Sequence, residues 1–406
     1  MQINGDRLCR DIEDLGSIGY RQGQGVTRLA LTPEDLKGRR WLADRMKEAS
    51  LEVEVDPAAN VIGRLNRGKR QTVIVGSHLD TVPSGGRFDG ALGVLAGLEC
   101  ARVLIENSAD LPWNLEIINF TDEEGHHNAG TFGSRAMMGL ASRQEMKVRK
   151  NPRIASLEES FRDIGLDPDA IGEARRDPAG IRAYLEMHVE QGMNLEIQGV
   201  ELGAVTGIVG IYRYLVLIAG EANHAGTTSM ATRNDALVNA APLFTQLPQW
   251  VAERGSDTVG TIGHLRLEPG AMNVIPGKCE FTVELRSMRT EAMEHLRGLI
   301  EGFASGIPKS QVSEVGEKDP VWLDQELLGL LAEAARKAGA SVARMPSGAG
   351  HDAMTFAPYA PTAMLFVPSL GGKSHCPDEW TSPQQVALGT QALLTALLDL
   401  ADLDRE

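Results

Sequence analysis

The chain contains little cysteine and no long apolar run. Its 406 residues include four cysteines, none of which lies in a Cys-x-x-Cys pair. This scarcity argues against both a disulfide framework and a thiolate zinc site. No stretch approaches about eighteen consecutive apolar residues, the signal of a membrane-spanning helix. The opening residues, MQINGDRLCRDIEDL, carry acids where a secretion signal needs basic and then apolar residues. We therefore expect a cytoplasmic protein that does not span a membrane.

Basic residues are fewer than acidic residues in this chain. The chain has 40 lysines and arginines against 55 aspartates and glutamates, a formal net charge of -15, and a pI near 5.2. The resulting negative field disfavours binding to nucleic acid or to an anionic membrane surface. An anionic small molecule would therefore have to be held by individual cationic side chains.

The length and the apolar content predict two domains. Hydrophobic residues make up 42% of the chain, and a single core seldom serves more than about 300 residues. Two apolar runs, TVIVGSH (72–78) and LEIINFTDEEG (115–125), flank a helical pattern at 89–106. A strand, a helix and a strand at this spacing are typical of a doubly wound α/β layer. An amphipathic helix at 33–50 is expected to cover one face of the sheet.

The middle of the chain has a different pattern. Two strand patterns and two helix patterns follow there, at 212–226, 278–287, 233–244 and 290–304. The α/β pattern then returns and ends in a long helix. We therefore predict an α/β fold with a doubly wound mixed sheet, built from residues 1–208 and 321–406. An α+β domain at 209–320 is expected to interrupt it.

Polar side chains follow the first buried strand. His78 ends that strand, at the carboxyl edge where open α/β sheets bind their ligands. Asp80, two residues on, is placed to orient the imidazole of His78. Asp89 follows in GGRFDG, a glycine-rich turn that leads into a helix. Taken singly, the two aspartates are explained equally well as turn or helix-cap residues.

Three acids, Asp122, Glu123 and Glu124, follow the second buried strand. Their mutual repulsion is unfavourable unless protons or cations neutralise them, and a solvated acidic loop is the alternative. His188 stands at a further strand end, and His375 lies in the loop after the last apolar run. A single histidine of this kind is usually structural. Combined with the histidine and aspartates above, however, these groups make up the ligand set of a hydrolytic centre with two metal ions.

Seven motifs occur in the order that is found in the M20 family of binuclear metallopeptidases and amidohydrolases. They are GSHLDTVPSGGRFDGALGV (76–94), FTDEEG (120–125), HVEQG (188–192), HAGTTSM (224–230), RLEPGAMNVIPGKCEFTVELRS (266–287), GAGHDA (348–353) and GGKSHCPDE (371–379). The chain resembles this family over nearly its whole length. HVEQG is typical of the ureido-cleaving branch, which comprises N-carbamoyl-L-amino acid hydrolases, β-ureidopropionases and allantoate amidohydrolases.

The resemblance implies two divalent metal ions per subunit, which are Zn, Mn, Co or Ni. The residues that match the family's ligands are His78, His188 and Asp89 for one ion, and Asp89, Glu124 and His375 for the other. Asp89 would bridge the two ions. Glu123 would be the general base. Asp80 would orient the ligand His78 without binding a metal ion itself.

The resemblance also implies that the main domain is catalytic and that the inserted domain is a lid through which a homodimer forms. Residues of the insert that match the family's substrate contacts are His224, Asn273 and Arg286; Gln191 and His351 are further substrate-binding candidates outside it. Arginine offers a planar fork that matches a substrate carboxylate. Some residues of the lid would serve the partner subunit.

The activity that the resemblance implies is cleavage of the ureido C–N bond of an N-carbamoyl-L-amino acid. The products would be the amino acid, ammonia and carbon dioxide. Aminopeptidases and N-acyl amino acid hydrolases of the same family are alternatives, but HVEQG and GAGHDA favour ureido substrates. A non-catalytic binding homologue would be expected to have lost Glu123 or a ligand, and none is missing. Allantoate and ureidoglycolate stay open as substrates.

One segment departs from the family pattern. After the paired glutamates the family usually runs almost directly into Arg-Phe-Gly, whereas this chain reads GHHNAGTFGSRAMMG at 125–139. His126 and His127 lie in this segment, and contact with substrate or an influence on a metal is one reading of them. We favour a simple loop role for both.

Overall fold

Two units, each with its own sheet, make up the part of the chain that the computed structural model describes, residues 1–127 and 129–405. The first unit consists of Met1–Thr206 and Trp322–Glu406, and the second of Gly207–Val321. The two boundaries between the units, at 206/207 and 321/322, lie within two residues of the boundaries that we predict from the sequence. The α/β class with a mixed sheet and an α+β second unit is confirmed.

The strands and helices alternate along most of the chain. The strands are β1 Tyr20–Arg21, β2 Gly25–Val26, β3 Glu52–Val55, β4 Val61–Leu65, β5 Thr72–His78, β6 Asn114–Phe120, β7 Ile181–Val189, β8 Leu202–Ile208, β9 Gly210–Ala219, β10 Val259–Glu268, β11 Lys278–Ser287, β12 Gln311–Lys318, β13 Val321–Trp322, β14 Val342–Ser347 and β15 Thr362–Val367. The α-helices are α1 Gly5–Ser17, α2 Pro33–Glu48, α3 Ala91–Glu106, α4 Phe132–Met137, α5 Leu157–Asp163, α6 Asn194–Gln198, α7 Ala236–Ala252, α8 Thr290–Ser305, α9 Gln325–Lys337, α10 Ala353–Phe356 and α11 Pro383–Leu403. Short 3-10 helices occur at Glu145–Lys147, Pro168–Ala174, Pro178–Gly180 and Leu370–Gly372.

The large sheet of the first unit has the strand order β13-β8-β15-β7-β5-β6-β4-β3, with β14 paired to β8. The four central strands, β15, β7, β5 and β6, are parallel to one another. They are flanked by antiparallel neighbours. Parallel strands that are buried on both faces are expected to be continuously apolar, and TVIVGSH and NLEIINF follow that rule. The carboxyl ends of the four strands therefore meet at one edge.

Helices cover both faces of this sheet. On one face α1, α3, α9 and α11 share a core with strand residues such as Val75 and Ile117. On the other face Phe120 and Tyr184 contact Phe356 of α10, and the Tyr184 and Phe356 rings stack at 4.3 Å. Helix α11 is long and apolar enough by composition to cross a membrane, but 56% of its most apolar window is buried. It packs against α3 and α9 as a core helix does.

The second unit is a four-stranded antiparallel sheet in the order β10-β11-β9-β12. Burial alternates along β9 and β11, and their buried residues share a core with α7 and α8. The predicted strand at 212–226 ends earlier than expected, at Ala219, and the predicted helix at 233–244 is longer and runs from Ala236 to Ala252. Strands β10 and β12 were not predicted, because their residues are largely exposed and lack the apolar alternation that indicates a strand.

Candidate metal centre

The predicted ligands come together at the carboxyl edge of the central strands. His78 ends β5, Glu124 follows β6, His188 lies near the end of β7, and His375 follows β15. Asp89 lies between β5 and α3, in the turn just before the helix begins. Because the four strands are parallel neighbours, side chains that are far apart in sequence meet at the same place.

One group consists of His78, Asp89 and His188, all of them buried. Nε2 of His78 lies 3.6 Å from Oδ1 of Asp89, and Nε2 of His188 lies 3.2 Å from the same oxygen. Ligands that bind zinc tetrahedrally at about 2.1 Å are separated from one another by roughly 3.4 Å. The separations in this group therefore match a shared metal ion.

A second group consists of Asp89, Glu124 and His375. Nε2 of His375 lies 3.4 Å from Oδ2 of Asp89 and 3.2 Å from Oε1 of Glu124. Asp89 thus turns one carboxylate oxygen towards each group. This is the arrangement that a bridging ligand requires.

The imidazole tautomers follow from the hydrogen bonds of the two buried histidines. Nδ1 of His78 lies 2.9 Å from the carbonyl oxygen of Asp80, and Nδ1 of His188 lies 2.9 Å from the carbonyl oxygen of Val189. A carbonyl oxygen can only accept, so Nδ1 carries the proton in both rings. Nε2 is therefore the nitrogen that each ring leaves on the side of Asp89, where a neutral imidazole can bind a metal.

Asp80 contacts both His78 and the backbone of the paired glutamates. The main-chain carbonyl of Asp80 orients His78, while its carboxylate oxygens lie 3.4 Å from the backbone N–H of Glu123 and 3.1 Å from that of Glu124. The carboxylate of Asp80 therefore holds the backbone of the paired glutamates. The carboxylate is farther from His78, with its Oδ1 3.9 Å from Nδ1 of the ring.

Several buried carboxyl groups lie close to one another at this edge of the sheet. Burial, together with the carboxylates of Asp352 and Glu124, raises the pKa of Glu123 well above its usual range. Burial likewise raises the pKa of Asp80. Among the described residues, Oε1 of Glu124 is buried without a hydrogen-bond partner. Divalent cations would neutralise this charge, so the residues present fit a two-metal centre.

Glu123 lies directly beside the first group. Its Oε2 is 3.5 Å from Nε2 of His78, and only 10% of its side chain is exposed. Glu123 belongs to neither ligand group, because the carboxylate that converges with Asp89 and His375 is that of Glu124. A carboxyl group in this position, with a raised pKa, is suited to accepting and returning a proton.

Gln191 and His351 were predicted to bind substrate, and both lie next to ligands. Nε2 of Gln191 donates to Oδ2 of Asp89 at 2.7 Å. The ring of His351 packs edge-on against that of His188, with centroids 4.6 Å apart, and its Nε2 lies 2.8 Å from the hydroxyl of Ser347. Burial lowers the pKa of His351 well below its usual value, so this ring is neutral.

The three predicted substrate residues of the second unit lie at two ends of its sheet. His224 and Asn273 are exposed and lie on neighbouring segments, joined by a bond from the N–H of Ala225 to the carbonyl of Asn273 at 3.0 Å. Arg286 lies near the other end of β11, where its Nε donates to Glu284 at 2.8 Å. Eight residues of strand separate Arg286 from Lys278, roughly 26 Å. Within one copy of this unit, Arg286 is therefore remote from the other two.

The divergent segment at 125–139 begins with the two adjacent histidines. His127 is buried, and its two ring nitrogens lie 3.1 Å from the carbonyl oxygens of Ala155 and Ala30. These contacts tie the segment to two other parts of the chain. They agree with the loop role that we predict for His127.

Gly90 is expected to be indispensable for the metal centre. It has a φ of +65°, and a Cβ here would lie 2.4 Å from the ring of His78. Its N–H also donates to Nε2 of His188 at 3.0 Å. We expect Gly90→Ala to displace the imidazole of His78 and to weaken metal binding by at least about tenfold, the effect typical of disturbing a ligand's support. Metal titration of the apoprotein measures this effect.

Gly68→Ala is the matched control for this substitution. Gly68 has a similar φ, +64°, but a Cβ there would meet nothing within 4 Å. This variant reports the backbone strain alone. Unchanged metal affinity in Gly90→Ala would show that His78 does not need its observed position.

The sheet and the candidate ligand groups at its carboxyl edge are those of a metal-dependent hydrolase. Residues 74–399 match Peptidase family M20/M25/M40, and the chain belongs to this family.

Similar proteins match over nearly their full length. The chain is 38% identical to an N-carbamoyl-L-amino acid amidohydrolase from Geobacillus stearothermophilus, over 98% of this chain and 99% of the relative. It is 37% identical to an allantoate amidohydrolase from Bacillus subtilis, over 96% of each. A solved amidase of the hydantoinase/carbamoylase family from Burkholderia multivorans superimposes with a TM-score of 0.89 at 32% identity, over 98% of each chain.

Proposed function

We propose that this protein is an amidohydrolase that cleaves the ureido C–N bond of N-carbamoyl-L-amino acids. The observation that carries the proposal is Asp89, which turns one oxygen to each of two ligand groups beside Glu123. The full-length likeness to relatives named N-carbamoyl-L-amino acid amidohydrolases supports the choice of substrate. We further propose that the protein works in the cytoplasm.

The proposed ligands are His78, His188 and Asp89 for one ion, and Asp89, Glu124 and His375 for the other. Two divalent ions, Zn, Mn, Co or Ni, would polarise the ureido carbonyl and lower the pKa of attacking water when bound. Carboxylate and imidazole ligands of this kind do not by themselves select one of these metals.

Glu123 is proposed to transfer a proton from the attacking water to the leaving nitrogen. A ureido carbonyl resists attack because its nitrogen lone pairs reduce its electrophilicity, so water must lose a proton as it adds. The carboxylate of Glu123 takes that proton and then delivers it to the leaving nitrogen. The bond between the carbamoyl carbon and the amino nitrogen breaks. One water is consumed, and the resulting carbamate decays to ammonia and carbon dioxide.

We propose that Arg286 binds the substrate carboxylate and that His224 and Asn273 bind the carbamoyl group. Because the two ends of β11 are far apart, the two sets are proposed to serve different subunits of a homodimer. The exposed edge strand β10, with Val259 53% and Leu265 48% exposed, favours a contact between copies through this unit. Light scattering tests this, and a monomer at assay concentration would contradict it.

Allantoate is the second candidate substrate, since an allantoate amidohydrolase is 37% identical over 96% of the chain. The discriminating experiment follows ammonia release from N-carbamoyl-L-amino acids, N-carbamoyl-β-alanine, allantoate and ureidoglycolate, and amino acid release from N-acetyl amino acids. Apoprotein reloaded with each divalent metal is used. We expect kcat/KM to be highest for an N-carbamoyl-L-amino acid. A maximum with allantoate would select the second candidate, and a maximum with N-acetyl substrates would overturn the ureido assignment.

A further inference from the structure

A buried carboxylate that belongs to neither ligand group connects the two loops of the centre. Glu379 is 4% exposed. Its Oε1 accepts from the backbone N–H groups of Phe88 and Asp89, at 2.8 and 3.1 Å. Its Oε2 lies 3.0 Å from the hydroxyl of Ser374. Glu379 therefore holds the backbone of the bridging residue from the loop that carries His375.

Ser374 makes the second connection between these loops. Its hydroxyl donates to Oδ2 of Asp89 at 2.6 Å, across 285 positions of sequence. The plane of an aspartate carboxylate rotates easily, and a bridging aspartate must keep one oxygen directed at each metal. A short bond to Oδ2 fixes that plane, while Glu379 fixes the backbone beneath it.

Two backbone features of the surrounding loops permit these contacts. A Cβ on Gly86 would lie 2.1 Å from Cδ and Oε1 of Glu379, so only glycine leaves room for this carboxylate. His375 has a φ of +56°, a left-handed conformation that is uncommon for residues other than glycine. Ser374 and Glu379 anchor the loop on either side of that residue.

We propose that Glu379 and Ser374 are positioning residues that keep Asp89 and the His375 loop in their observed positions. The metal ion of the second group, Asp89, Glu124 and His375, is then bound tightly. This inference rests on the proposed two-metal function. Hydrogen-bond partners behind metal ligands typically contribute about 10- to 100-fold to metal affinity. Both residues act through Asp89 and His375 rather than on the substrate.

The test is a Co²⁺ titration of the apoprotein of wild type, Glu379→Gln and Ser374→Ala, followed by calorimetry and by the visible spectrum of bound cobalt. We expect the first dissociation constant to change less than the second, because His78 and His188 lie outside the His375 loop. We expect the second dissociation constant to rise about 10- to 100-fold. Activity should recover towards the wild-type kcat when cobalt is added in excess, because the catalytic groups remain in place.

Asp378→Asn is the matched control in the same loop. The side chain of Asp378 is 74% exposed and pairs with Lys373 at 2.8 Å. This variant should therefore bind both ions as wild type does. Should Glu379→Gln fail to fold, Ser374→Ala decides between the outcomes, since it removes a single hydroxyl. Fewer than two ions in wild type would overturn the proposed centre itself. Two ions in wild type with unchanged second affinity in both variants would overturn only this inference.

Discussion

Replacing Glu123 by glutamine is expected to lower kcat by about 10³-fold while both metal ions remain bound, in the range typical of losing a general acid–base group. Glutamine keeps the size of the side chain but cannot accept a proton from water or return one to the leaving nitrogen. The metal ligands are untouched, since Glu123 belongs to neither ligand group. Binding of substrate should change little, so the loss should fall on kcat rather than on KM.

The measurement pairs steady-state kinetics with the metal content of the same sample. Glu34→Gln is a suitable control, because Glu34 is exposed on α2 and the substitution removes the same charge. This control should keep wild-type rates. Substantial turnover by fully metal-loaded Glu123→Gln would exclude Glu123 as the base.

Asp89→Asn is expected to have the larger effect, with loss of both metal ions and activity at background. Asp89 supplies Oδ1 to the group of His78 and His188, and Oδ2 to the group of His375. Asparagine offers one oxygen and one NH₂ group, which has no lone pair to give a metal. It also removes the negative charge that both ions share.

The check is metal analysis after dialysis, with thermal unfolding to confirm that the variant is folded. Asp44→Asn, at an exposed position where the side chain is 70% accessible, controls for the loss of charge. If Asp89→Asn retained two ions per chain, the bridging assignment would be wrong. Retention of one ion would assign Asp89 to a single group.

The buried strands were the part of the fold most accessible to prediction. The strand β5 runs over the predicted 72–78, and β6 ends at Phe120, just before the predicted acidic turn. Such strands are apolar on both faces, so their own residues carry the signal. The exposed strand β10 has no such pattern, because its stability comes from pairing with β11 rather than from burial.

The candidate ligands could be found in the sequence because acids and imidazoles follow strand patterns or a glycine-rich turn, and the resemblance to the M20 family assigned them to two groups. The residues that position these ligands could not be predicted from the sequence. The carboxylate of Asp80 bonds to backbone N–H groups 43 and 44 positions away, and Ser374 reaches Asp89 from the far end of the chain. Serine and glutamate in a loop carry no local signal of such a role, since the partner is a backbone group or an oxygen that only the fold brings near.

The sequence by itself determined the α/β class, the inserted unit and the identity of the acids and imidazoles that meet at the sheet edge. Those properties follow from local periodicity, from residue chemistry and from the motifs shared with the M20 family, which each segment carries on its own. The tertiary structure alone decided which oxygen of Asp89 faces each group, that Nε2 of each buried histidine is turned inward, and that Glu379 links the two loops. These depend on angles and distances of a few ångströms between segments that only the packing of parallel strands brings together.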